Sequence, residues 1–288
     1  MSLPKHTPYK NGDGGVKVGL EPIEESDWLE IDDLFNSEIE LKKELYDSHF
    51  NEIHKEVNES SESQVELLNL LRTHLKQYHP NHKITSVTDS LPLKKASLMV
   101  QEDLVLMLPR GEEYFLGAAS LCAPSNWSLE EKFKSSLIGL HVHVPTYEKK
   151  IGLRVNNLFN NLPNERIFQR FNWSIYENSN LFQPANSKSQ IERSRTITED
   201  NAGDRLFVRV ERQTIRRLSE TKAIVFTIRV HVNPLLCLKK DVSLLTDLDQ
   251  AIENLTADMK VYKSIDQIEV PLRGCCLLYT SPSPRDRG

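Results

Sequence analysis

Two stretches in the last third of the chain alternate in character with a period of two. Leu206, Val208 and Val210 alternate with Phe207, Arg209 and Glu211, and Ile224, Phe226, Ile228, Val230 and Val232 alternate with Thr227, Arg229 and His231. Successive side chains of a strand point to opposite faces, so both stretches are predicted strands. The short Ser219-Glu220-Thr221-Lys222 link between them can join only antiparallel neighbours. An antiparallel pair with one apolar face needs a second layer to cover it.

Helical spacing supplies that layer. Trp28, Ile31, Phe35, Ile39, Leu45 and Tyr46 predict a helix from Asp27, and Leu68, Leu71, Leu75 and Tyr78 predict a second that ends at His79-Pro80. The acidic, serine-rich link Glu56 to Glu62 reads as a solvated loop. A closing helix is expected from Thr246, with Asp249 three residues on in a variant capping box, through Leu248, Ile252, Leu255 and Met259. Asp103 to Leu108, the turn Pro109-Arg110-Gly111-Glu112 and Tyr114 to Ala119 predict another hairpin. The expected fold class is α+β, a mainly antiparallel sheet flanked by helices, in one domain over residues 17–274. Residues 1–16 read as a flexible arm. From Cys275 the text CCLLYTSPSPRDRG resembles translated adapter sequence, so 275–288 is expected to be a non-native tail.

Bulk charge removes some functions. With 36 Lys plus Arg against 41 Asp plus Glu the net charge is −5, which argues against a nucleic-acid partner. No run of about 18 apolar residues and no apolar leader occurs, so a cytoplasmic protein without membrane contact is expected. Four cysteines without CxxC spacing argue against structural zinc and a disulfide framework. P-loop, GxSxG and HExxH spacings are absent.

Three clusters could carry chemistry. His141 and His143, two residues apart in Leu140-His141-Val142-His143-Val144-Pro145, point the same way on an extended segment and can share one ligand. With Glu148 the spacing resembles the first metal motif of cupins, without its glycines or its fourth histidine. Arg170, Asn172 and Trp173 suit carboxylate or propionate recognition beside a flat apolar ligand, or a loop anchored by one buried Trp. Five arginines between Arg205 and Arg217 are expected on one sheet face, either as an anion clamp or as a solvated face paired with Glu211.

Together these segments resemble the haem-dependent oxidative N-demethylase (dimethylamine monooxygenase) α-subunit-like family. The matching stretches are Gly19-Leu20-Glu21-Pro22 with Trp28, Val100-Gln101-Glu102-Asp103-Leu104, Ala118 to Ser125 with Trp127, Leu140 to Pro145, Arg170-x-Asn172-Trp173, and Arg209-x-Glu211-Arg212-Gln213-Thr214 with Phe226 to Arg229. They keep the family's order over roughly residues 17 to 270.

The resemblance implies a PAS-like fold binding haem b. The activity it implies consumes dioxygen and reducing equivalents to oxidise a small methylated amine, releasing formaldehyde. His141 takes the place of the family's axial histidine, and His143, where the family has proline, could be a sixth ligand. Arg170, Arg209 and Arg212 are expected at the propionates, and Leu104, Leu106 and Phe226 at the pocket walls. Asn172 and Gln213 would orient oxygen species or amine, with Trp173 packed on the macrocycle. Neither a dinucleotide fingerprint nor an iron–sulfur cysteine set is present, so an external flavin or ferredoxin-type reductase is implied. A PAS-like haem sensor, a catalytically degenerate binding homologue and a cupin-like metal enzyme stay open as alternatives.

Overall fold

In the computed structural model, which describes residues 3–14, 19–82, 89–136, 139, 157–184 and 192–280, seven strands form a single sheet. They are β1 (Glu21–Ile23), β2 (His54–Glu56), β3 (Asp103–Arg110), β4 (Glu113–Ser120), β5 (Ile167–Tyr176), β6 (Phe207–Arg217) and β7 (Ile224–Pro234). Their spatial order is β1-β5-β6-β7-β3-β4-β2, and every pairing is antiparallel. The fold is α+β, with both expected hairpins in place. Gly111, at φ +63°, makes the tight turn between β3 and β4. Pro109 is tolerated in β3 because the pairing with β7 ends at Met107, so no ladder bond is lost on that side.

Strand register sorts the side chains onto two faces. The first face carries Leu104 and Leu106 of β3, Trp173 and Ile175 of β5, Val208 and Val210 of β6, and Val225 of β7. Helices cover it. Leu67, Leu68, Leu71 and Leu75 of the helix Ser61–Tyr78 pack with Leu104 and Leu106. Leu244, Leu245, Leu248 and Ile252 of Val242–Glu253, with Leu272 of Glu269–Thr280, pack on Trp173 and Val210.

The second face carries Val105, Met107, Tyr114, Leu116, Ile215 and Ile224, packed with Leu129, Phe159 and Leu162. Towards β5 it also holds Phe168, Arg170, Asn172, Arg209, Glu211, Gln213, Phe226 and Ile228.

Several expectations shift. Helix begins at Phe35, not Asp27, because the backbone N–H groups of Glu30 and Asp32 donate to the side chains of Glu102 (2.8 Å) and Gln101 (3.0 Å) instead of to helical carbonyls. The link before the second helix is solvated as expected except at Ser60, which is buried and accepts from Gln64 Nε2 (2.8 Å), and its last two residues, Ser61 and Glu62, are already helical. The closing helix starts five residues early, capped by Asp241, while Thr256 caps a separate short helix containing Met259. Residues 3–14 do not float: Tyr9 is fully buried and its ring lies edge-on to Trp173. Position 275 is no structural break either, since Cys275 and Cys276 are buried inside the helix Glu269–Thr280. Among the described residues no helix is long and apolar enough to cross a membrane.

Candidate functional site

Towards β5 the second face is half-buried at Phe168, Arg170, Asn172, Gln213, Phe226 and Ile228. Phe168, Phe226 and Ile228 form an aromatic and aliphatic floor. Arg170 and Gln213, opposite one another in the ladder, and Asn172 and Glu211, the next such pair, form a polar row beside it.

A carboxylate organises that row. Glu211 accepts hydrogen bonds from Ser125 Oγ, from Gln213 Nε2 (2.9 Å) and, at 3.5 Å, from Asn172 Nδ2. Asn172 Oδ1 in turn accepts from Lys263 Nζ (2.9 Å), whose ammonium also donates to the Trp173 carbonyl. Both amides are thereby tied to the Glu211 carboxylate, and Asn172 also to the Lys263 ammonium. Burial pushes the Lys263 ammonium down to about 8, and Arg170 nearby pushes the same way against the pull of Glu211.

Arg209 lies on the same face, yet its guanidinium is buried against backbone carbonyls. It donates to Ser125 Oγ (2.9 Å) and to the carbonyls of Ala123 (2.8 Å), Pro124 (3.2 Å), Asn180 (3.1 Å) and Leu181 (3.0 Å), at 1% exposure. It clamps two loops and, at that burial, is shut away from a propionate at the half-buried floor. Arg212 and Trp173 face the other way. Arg212 donates to Gln169 Oε1 (2.9 Å) and to the carbonyls of Trp28 (3.2 Å) and Asp27, and Trp173 donates its indole N–H to the Asp13 carbonyl (3.2 Å).

The five arginines therefore do not share a face. Arg209 and Arg217 point to the second and Arg212 and Arg216 to the first, as period two requires. Leu104 and Leu106 are likewise core residues of the first face, which leaves Phe226 as the expected wall residue that meets the site. Arg170, Asn172, Gln213 and Phe226 are brought together, with Ser125, Glu211 and Lys263 as members that sequence reasoning missed. His141, His143 and Glu148 lie outside the described residues.

The motif-rich segments around the site are held from within. Asp103 accepts the N–H groups of Cys122 and Ala123 through its two oxygens, both at 2.8 Å, and its burial raises its pKa. Lys42 donates to the carbonyls of Ser97 (3.2 Å), Val100 (3.0 Å) and Glu102 (2.6 Å). Residues 19–272 match the family model described as haem-dependent oxidative N-demethylase, alpha subunit-like. The chain belongs to this family.

Haem dependence in the N-demethylase family sets a test for the described residues. A porphyrin needs apolar walls and polar groups at its edge. The floor of Phe168, Phe226 and Ile228 with Arg170, Asn172 and Gln213 alongside meets both requirements. The strand histidines do not face this floor: His54 is paired with Ser120 and His231 with Val210, both on the first face. In this sequence His141 and His143 lie between residues packed on this floor's side, Leu129 and Phe133 before them and Leu158, Phe159 and Leu162 after them. Arg217 fastens the second of these flanks, donating to the carbonyls of Leu162 (2.9 Å) and Phe159.

Proposed function

We propose that this chain is a haem b monooxygenase that removes a methyl group oxidatively from a small methylated amine, giving the amine and formaldehyde, inside a PAS-like cytoplasmic domain. The observation that carries the reading is the half-buried floor of Phe168, Phe226 and Ile228 bordered by Arg170, Asn172 and Gln213. The strand order β4-β3-β7-β6-β5 at the centre of the sheet supports the PAS-like part.

Bound haem supplies the dioxygen chemistry, with electrons from an external flavin or ferredoxin-type reductase. His141 would hold the haem iron, since residues packed on this face flank its segment in sequence, and His143 would be the neighbouring residue able to compete for it. Arg170 is the proposed propionate partner. Asn172 and Gln213 orient the amine by hydrogen bonds at the edge of the floor, while Glu211, Ser125 and Lys263 act through them by fixing both amides. Phe168, Phe226 and Ile228 keep water from the reacting methyl group.

The reading is tested by expressing the protein with haem supplied and measuring formaldehyde released from small methylamines in the presence of a reductant and dioxygen. Formaldehyde in step with amine loss is expected from wild type, with a loss of haem and activity in His141→Ala. Stoichiometric haem loading and full activity in that variant would refute the ligand assignment. A haem-loaded wild type that gives no formaldehyde from any small methylamine would refute the activity.

A further inference from the structure

His6, Glu30 and His231 lie far apart in sequence and meet on the first face of the sheet. Glu30 Oε1 is 2.8 Å from His6 Nε2 and Glu30 Oε2 is 2.7 Å from His231 Nε2. One ligand atom from each of the three residues lies within 4.8 Å of the other two. The geometry is built from several directions. The backbone N–H of Glu30 donates to Glu102 Oε1 (2.8 Å), and the His6 ring packs 4.9 Å from Phe171 and 5.1 Å from the His231 ring.

Two imidazoles and one carboxylate are a donor set suited to zinc. We propose that His6, Glu30 and His231 form a zinc-selective divalent-metal site that fastens the N-terminal segment to the sheet. Donors about 2.1 Å from a tetrahedral zinc stand about 3.4 Å apart, so each ring nitrogen backs away from its carboxylate oxygen by under ~1 Å while the most widely spaced donors, now within 4.8 Å of one another, draw together. Lys5 Nζ, 2.7 Å from Glu30 Oε1 and 57% exposed, swings into solvent as the ion enters. Arg212 Nε, 3.9 Å from the same oxygen, is held by Gln169 and the Asp27 and Trp28 carbonyls, so it stays and moderates the affinity. This site lies across the sheet from the proposed haem floor and does not depend on it.

The test uses the full chain stripped by a chelator, with Zn²⁺ titrated calorimetrically and Co²⁺ followed by its visible bands. One zinc site is expected whose affinity falls at least about tenfold in each of His6→Ala and His231→Ala. Affinity should rise in Lys5→Ala, and zinc should raise the Tm of wild type but not of His6→Ala. Undiminished binding in His6→Ala, or no zinc binding by wild type tighter than about 100 μM, overturns the site and leaves a hydrogen-bonded charge cluster. Should His231→Ala not fold, the solvent-side His6→Ala and Lys5→Ala variants decide the question between them.

Discussion

Arginines a few residues apart on β6 meet unrelated surroundings. Arg209 clamps four carbonyls, Arg216 lies 4.3 Å over the Trp28 ring and pairs with Glu25 (2.7 Å), and Arg217 reaches Tyr114 Oη (3.1 Å) and the loop before β5. In sequence all of them read as a charged sheet face, because alternation shows which residues share a face but not what covers it. Replacing Arg209 by Met leaves those carbonyls and Ser125 without their donor in a dry site. A destabilisation of about 3–5 kcal/mol is expected in urea unfolding, with faster amide exchange at 123–125 and 180–181. Arg209→Lys should restore only part of it, since an ammonium cannot span both loops. Lys263 gives a pH signature. Its folded pKa, about 8, lies below its ordinary 10.5, so the unfolded chain holds more protons on this group between those values. Wild-type stability measured against Lys263→Met should therefore rise from about pH 8 to 10.5, by on the order of 3 kcal/mol at most, with the burial penalty fully present below 8. A flat difference across that window would place the ammonium in solvent.

Elements followed the sequence where periodicity was strong and departed from it where side chains replaced backbone partners. Both hairpins were legible, one from the apolar runs 103–108 and 114–119 around a turn and one from the alternation at 206–211 and 224–232, although β3 runs on through Pro109 and Arg110, which read as turn, and β6 extends to Arg217. Trp28 to Leu34 has helical spacing and is not helix, because Gln101 and Glu102 from a distant segment take up its N–H groups. No local pattern reports a partner about seventy residues away. The β6–β7 hairpin depends on a similar contact: Glu66, on the helix Ser61–Tyr78, accepts the N–H groups of Glu220 (2.8 Å) and Thr221 (2.9 Å) and the Thr221 hydroxyl (2.7 Å). These bonds hold its pKa below the ordinary value although burial pushes it up. Glu66→Gln should cost about 1–2 kcal/mol, readable as a lower urea midpoint at unchanged m, and Glu66→Ala somewhat more.

For the molecule as a whole, the matching motifs mark two different things. Gln101, Glu102 and Asp103, together with Cys122 and Ala123, form internal fastenings, whereas Arg170, Asn172, Gln213 and Phe226 border the half-buried floor. Sequence resemblance found both sets and could not separate them, because strand register decides which side of the sheet a residue serves. The N-terminal segment was missed for a related reason: its composition is loop-like, yet Tyr9 fills a gap beside Trp173 in the helix-covered core. Tyr9→Ala should lower stability by about 3–5 kcal/mol in thermal or urea unfolding, a loss that a free arm would not show. The claim that haem lies against the second face is tested most directly by titrating haem into wild type and Phe226→Asp, following the Soret band while circular dichroism monitors the fold. One haem per wild-type chain and at least a tenfold weaker affinity in the folded variant are predicted. Equal affinity in the two proteins would contradict the account.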